Sequence, residues 1–175
     1  LLAMLELLDV LGDRIEHASV ASDELIGRIA ALGLHVCVQP HFVAERGDRY
    51  LADVEPRHHG ELYRLRAYAE AGVTMAGGSD APFASADPWA AMASAVSRRT
   101  ASGALIGAGE ALSPEEALML YLSDPADLSR QRRIAVGEPA DFCLLGRPWA
   151  EARARLTSAD VRAAFGAGDC VYQAP

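Results

Sequence analysis

Two side chains are placed where chemistry is easiest to build. His17 follows the short apolar-polar run Arg14-Ile15-Glu16, and Asp80 follows Val73-Thr74-Met75-Ala76-Gly77 and the pair Gly78-Ser79. Both runs read as β-strands. A neutral imidazole is a nitrogen donor for a divalent metal, and a carboxylate is a hard oxygen donor that also accepts a proton. Gly77-Gly78 permit close backbone approach ahead of Asp80, and Pro82 fixes the exit from the strand. By spacing alone the bland alternatives stay open: a lone His at a strand end is commonly structural, and a lone Asp before a loop is commonly a cap.

What raises the pair above that is the order of the elements around it. Leu1 to Leu11 has a broad apolar face ended by Gly12 and reads as a helix. Ser22 is an N-cap with Asp23 and Glu24 in the first turn, Leu25, Ile26, Ile29 and Leu32 form an apolar face, and Gly33 ends the helix. Leu34 to Gln39 is a strand, apolar at nearly every position and closed by Pro40, as expected for a strand covered on both faces. A polar stretch from Glu45 to Arg57 precedes a helix from Glu61 to Ala71, capped by Gly72. Alternation of this kind predicts α/β architecture with a parallel sheet and right-handed crossovers. The C-terminal ends of such strands are where α/β folds place their sites.

Asp87-Pro88 starts a further helix running to about Arg99, and Ser113-Pro114-Glu115-Glu116 is a capping box with Pro at the first helical position. Beyond Ile134 the character changes: Asp141 to Leu145 reads as a strand and Gly166-Ala167-Gly168-Asp169 as a hairpin-like turn. Two regions are expected, an α/β part over 1–130 and a β-rich tail over 131–175.

The composition excludes several classes. The net charge is -8, which argues against an electrostatic grip on nucleic acid or an anionic membrane. All sixteen basic residues are Arg, so no Schiff-base, P-loop or carboxylated lysine is available. Cys37, Cys143 and Cys170 are far apart and odd in number, giving no disulfide framework or CxxC knuckle, and Cys37 reads as a small buried residue. No apolar run approaches the ~20 residues of a membrane span, and the opening lacks a basic leader segment. A cytoplasmic, reduced protein is expected.

Other polar residues have weaker claims. Gln39 and His41, beside the strand-ending Pro40, are candidate substrate contacts or loop residues. His35 is expected to be packed, and His58 and His59 solvated. Arg98 and Arg99 fit either a substrate carboxylate or a charged helix end. Glu16 should point away from His17, toward a supporting or helix-facing role.

Several segments together resemble the amidohydrolase superfamily. Arg14-Ile15-Glu16-His17-Ala18 is similar to the sixth-strand signature, Val38-Gln39-Pro40-His41-Phe42 to the end of the seventh strand, and Ala71 through Pro82 to the eighth-strand segment. Ala95-Val96-Ser97-Arg98 and Ser113 to Leu118 match the succeeding helices. Gly137-Glu138-Pro139-Ala140-Asp141-Phe142 is similar to the turn that returns the chain to the small β-sandwich, and all these segments occur in the right order. The nearest type is the third subgroup, with N-substituted formamide deformylase-like proteins. The resemblance implies the C-terminal part of a (β/α)8 barrel, namely its last three strands and their helices, followed by a piece of the small β-sandwich. It implies that His17 is a metal ligand, that Asp80 contacts metal and serves as catalytic general base, and that the metal is divalent, zinc in the complete enzyme. The substrates implied are small amide- or formamide-like molecules cleaved at a C–N bond.

The departures are large. No HxH pair is present, since His58-His59 are adjacent, and the fourth- and fifth-strand ligands would precede Leu1. Two ligands fall short of the three that zinc ordinarily takes from protein. The chain is therefore expected to be a C-terminal fragment, inactive alone. The alternative is a non-catalytic binding or assembly module that keeps half of the scaffold. Three strands cannot close a barrel, so a second copy, or a partner supplying the missing N-terminal half, is expected at the unpaired edge.

Overall fold

Strand β1 (Arg14–Glu16) is the first regular element of the computed structural model, which describes residues 13–175; the helix expected over 1–11 lies outside the described residues. It pairs in parallel with β2 (His35–Val38), which pairs in parallel with β3 (Met75–Gly77), in the order β1-β2-β3. Between β1 and β2 runs α1 (Asp23–Ala31). The Ser22 side chain accepts from the Leu25 amide at its start, and Gly33, at φ 63°, turns the chain into β2. Leu25, Ile26 and Ile29 are buried with Val36 and Val38 of β2. Each such side chain contributes roughly 1.5–3 kcal/mol by leaving water.

The connection from β2 to β3 departs from the sequence reading. Much of the polar stretch expected over Glu45 to Arg57 is helical, within α2 (His41–Asp53), followed by a 3-10 turn (Pro56–Glu61), and the helix expected over Glu61 to Ala71 shortens to α3 (Leu65–Glu70). The reason is visible in the spacing. Val43, Gly47, Tyr50 and Val54 recur at three- and four-residue intervals and turn inward, while Glu45, Asp48 and Arg49 are exposed. Gly47 marks a close approach: a Cβ there would stand 2.5 Å from Thr100 Cγ2 and 2.9 Å from Ile106 Cδ1.

After β3, α4 (Pro88–Ser97) is capped by Asp87, whose Oδ1 accepts from the Trp89 and Ala90 amides, and α5 (Pro114–Met119) carries the expected capping box. A small antiparallel hairpin, β4 (Ser123–Asp124) with β5 (Asp127–Gln131), was not expected from the sequence. The tail forms an antiparallel sheet in the order β6-β7-β8, made of β6 (Phe142–Leu145), β7 (Val161–Gly166) and β8 (Asp169–Gln173), with α6 (Trp149–Ala152) between the first two. This tail does not stand apart. Leu156 belongs to the core cluster that holds Ile29, Val36, Val38 and Leu65, and Leu145, Trp149 and Val161 pack against it. Ser158 Oγ also donates to Asp87 Oδ2 at 2.8 Å, and Trp149 Nε1 to Glu115 Oε1 at 3.0 Å.

Register assigns the two faces of the parallel sheet. Ile15, Val36, Val38 and Met75 face the helices. Glu16 is opposite Cys37, which is opposite Ala76, so these three share the other face. Glu16 therefore does not face the helix layer; it pairs with Arg14, Nε to Oε1 at 2.6 Å, on the far side.

Candidate functional site

Where β1 ends, the backbone makes an abrupt turn. His17 and Ala18 both have positive φ, 67° and 43°, and Asp80, after β3, has φ 54°. Non-glycine residues adopt this left-handed region only where the surroundings over-determine it. At His17 the hold is explicit: its amide donates to Cys37 O at 2.9 Å, the Ala18 amide to Glu16 O at 2.9 Å, and the buried Tyr68 hydroxyl to Ala18 O at 3.1 Å. The two strand ends, separated in the sheet by β2, bring His17 Nε2 to 3.8 Å from Asp80 Oδ2. Both side chains are about 40% exposed, at 40% and 41%, so the pair is open to solvent.

The donors are chemically suited to a divalent ion, and one ion at about 2.0–2.2 Å from each could span them. In number they fall short. No group of three or more His, Cys, Asp and Glu side chains suited to an ion occurs among the described residues. The pair by itself does not make up a zinc site.

Phe42, buried at 3% exposure, is an aromatic hub against His17. The His17 ring stacks on it with centroids 6.0 Å apart, the His41 ring meets it edge-on at 4.8 Å, and Phe83 does so at 5.9 Å. Gln39 and His41, the candidate substrate contacts, are each only 2% exposed. Gln39 Nε2 donates to Cys37 O at 3.1 Å, and His41 Nε2 lies 2.9 Å from Ser79 O. A carbonyl only accepts, so Nε2 carries the proton and Nδ1 the lone pair. His41 Nδ1 and Gln39 Oε1 are buried without a partner. Burial holds the His41 imidazole below its ordinary range, so the ring is neutral at neutral pH. Gly78 lies against this layer, where a Cβ would come within 2.9 Å of Cys37 Sγ. Burial, helped by the neighbouring Glu16 carboxyl, pushes the Cys37 thiol up to about 12, which leaves no thiolate for nucleophilic work at neutral pH.

The remaining candidates are structural. Arg98 is fully buried, donating from Nε to Ile106 O at 3.0 Å and from Nη2 to Leu62 O at 3.2 Å, and Arg99 Nη1 donates to Gly103 O at 2.9 Å. The donors in all three bonds are engaged by backbone carbonyls. His58 and His59 are not simply solvated: their rings lie 2.7 Å from Glu61 Oε2 and 2.8 Å from Val54 O. His35 is half-buried on the Glu16 face. The sequence reading passed over Arg46 and Phe83. The Arg46 guanidinium lies 3.9 Å from the Phe83 centroid and 5.5 Å from that of Phe42, and its Nη2 donates to Phe83 O at 2.8 Å. The signal was the one-turn spacing of Phe42 and Arg46, split by the assumed start of the polar stretch at Glu45.

The chain is similar to known proteins in sequence and in fold. The amidohydrolase family pattern matches residues 6–172. The putative amidohydrolase YtcJ of Bacillus subtilis (strain 168) is 31% identical over 169 residues, which are 92% of this chain and 32% of that protein. The N-substituted formamide deformylase of Arthrobacter pascens is 31% identical over 139 residues, 77% of this chain and 26% of that protein. The chain thus spans about a third or less of the curated relatives it matches. Among solved structures, an uncharacterized metal-dependent hydrolase from Pyrococcus furiosus is 33% identical with a TM-score of 0.53, covering 62% of this chain and 22% of that one. An amidohydrolase at 19% identity shares the fold, with a TM-score of 0.60 over 93% of this chain and 40% of its own. With the family pattern running over almost its whole length and a relative 31% identical over 92% of it, the chain belongs to the amidohydrolase family.

Proposed function

We propose that this chain supplies part of the active site of a metal-dependent hydrolase of C–N bonds in small amide- or formamide-like molecules. The observation that carries the reading is the approach of His17 and Asp80 from the ends of two different parallel strands. In this reading β1, β2 and β3 are the last three strands of a (β/α)8 barrel, and residues 131–175 belong to the small sandwich. His17 and Asp80 are two of the metal donors, the ion is zinc, and the other donors come from a stretch that the relatives possess and this chain does not span. A bound divalent ion would supply hydroxide at neutral pH. In this reading Asp80, 41% exposed, would take a proton from water and pass it to a leaving nitrogen. Alone, the chain binds metal weakly and does not turn over substrate.

The test uses the purified chain with and without a co-expressed polypeptide covering the remaining length of a relative. Expected are no stoichiometric zinc after dialysis for the chain alone, and formamide hydrolysis on complementation, abolished by His17→Ala and by Asp80→Asn. Zinc retention with turnover by the chain alone would overturn the fragment reading, and complementation without activity would overturn the hydrolase reading.

The second reading, a binding or assembly module, is favoured by one observation: β1 and β3 each pair only with β2 among the described residues, leaving an edge on either side. A second copy, or the partner bearing the missing half, would cover it. No helix among the described residues is long and apolar enough to cross a membrane.

A further inference from the structure

Helix α2 touches the loop that carries Asp80 at three points. His41 Nε2 donates to Ser79 O at 2.9 Å, Arg46 Nη2 donates to Phe83 O at 2.8 Å, and Glu45 Oε1 accepts from the Ser85 amide at 3.2 Å. His41 with Glu45, and Phe42 with Arg46, are one-turn pairs on neighbouring rows of the same helix, so the three contacts form one surface. The loop is itself tied back at the key position, because the Phe83 amide donates to Asp80 O at 2.9 Å. Arg46 thus reaches Asp80 through a single residue. Its guanidinium also stacks over the Phe83 ring at 3.9 Å, holding that 60% exposed side chain from one face. Asp80 sits at φ 54°, a left-handed conformation that a non-glycine residue keeps where its surroundings support it.

We propose that His41, Glu45 and Arg46 are a brace that sets Asp80 at its working position before any metal or substrate arrives, with Arg46 as the main positioning residue. The proposal rests on the hydrolytic reading for the role of Asp80, but the brace itself is a property of the chain alone. His41 acts through Ser79 and Arg46 through Phe83; neither touches a reacting atom. A merely stabilising Arg46 would lower global stability without singling out this loop. A positioning one governs the loop and leaves the rest of the fold unchanged.

The experiment is amide hydrogen exchange and backbone nitrogen relaxation by NMR on the full chain, free of metal and substrate. Arg46→Met keeps the aliphatic stem and removes both the donor and the cation. The Phe83 amide should then exchange about tenfold faster, the size expected for one lost hydrogen bond to a charged donor. The Asp80 amide should gain nanosecond mobility, while amides of α1 and β2 and the melting temperature stay unchanged. Arg46→Lys, which keeps a cation and a donor, should recover most of the protection. Should Arg46→Met fold poorly, Glu45→Ala at the exposed Glu45, which removes the acceptor, tests the other arm, with faster exchange confined to Ser85 and its neighbours. Unchanged exchange at Phe83 in Arg46→Met, or at Ser85 in Glu45→Ala, overturns the brace, as does a Lys variant no better than Met. These readouts need no turnover, so absence of hydrolysis in the complemented enzyme would count against the function and not against the brace.

Discussion

Tyr68→Phe isolates the hold on the turn that presents His17. The hydroxyl is buried, Tyr68 being 0% exposed, and it donates at 3.1 Å to the carbonyl of Ala18, which is 8% exposed. Removing it deletes one neutral hydrogen bond, worth about 1 kcal/mol net, and leaves the carbonyl short of a partner, which raises the cost toward ~2 kcal/mol. The ring stays, so no cavity is added. Burial pushes the Tyr68 phenol up to about 12, so the donor proton is present throughout the neutral range and the loss should not vary from about pH 6 to pH 9. For a chain of this size, 1–2 kcal/mol corresponds to a fall in Tm of roughly 2–8 °C. Urea unfolding followed by circular dichroism should show a lower midpoint with an unchanged slope. A loss under about 0.3 kcal/mol would refute the argument that this bond holds the left-handed pair, and a changed slope would place the effect in the unfolded state instead.

Two further substitutions probe the sheet and its caps. Gly77→Ala would bring a methyl within 2.5–2.9 Å of three ring atoms of Tyr121. Overpacking there should cost about 1–3 kcal/mol, relieved in Gly77→Ala/Tyr121→Leu, and a double-mutant cycle by chemical denaturation with no coupling would contradict it. The bond from Arg66, helped by the Ser113 amide and hydroxyl, holds the Glu116 carboxyl down at about 2 against an ordinary 4.5. A carboxyl lowered by folding adds stability above its unfolded value and loses it as pH falls through the folded one. Stability should therefore drop between about pH 4.5 and pH 2, and Glu116→Gln should flatten that part of the profile; an unaltered acid limb would refute the assignment.

The parts legible from sequence are those whose physics closes within a few residues. Ser22, Asp87-Pro88 and the Ser113-Glu116 box cap their helices where expected, because the side chain bonds its own neighbouring amides. Gly33 and Gly72 end helices for a different but equally local reason: without a Cβ they take up positive φ, 63° and 72°, freely. His17 and Asp80 were legible as strand-end residues, but their separation of 3.8 Å depends on sheet order and on two left-handed backbones that no spacing reveals. The helix α2 was missed because its exposed Glu45, Asp48 and Arg49 mask the inward row Val43, Gly47, Tyr50. Losing that helix hid Arg46 and Phe83 as well. Arg98 misled for the opposite reason: a cation at a helix end reads as solvated, while its carbonyl partners, Leu62 and Ile106, lie 36 and 8 residues away in the chain.

Asp87 uses one oxygen for the helix and the other for the tail: Oδ1 takes the Trp89 and Ala90 amides, Oδ2 the Ser158 hydroxyl. For a lineage drifting at this position, residues that cap helices equally well are not interchangeable. Asparagine retains an oxygen for the amides and an amino group that can face Ser158 in reversed polarity, so it is a neutral neighbour. Serine has a single oxygen, and a chain that drifts to it must give up either the start of α4 or the tether to the β-rich tail. The tolerated alphabet at residue 87 is thereby narrower than its surface position implies, and it is set by a residue 71 places further on.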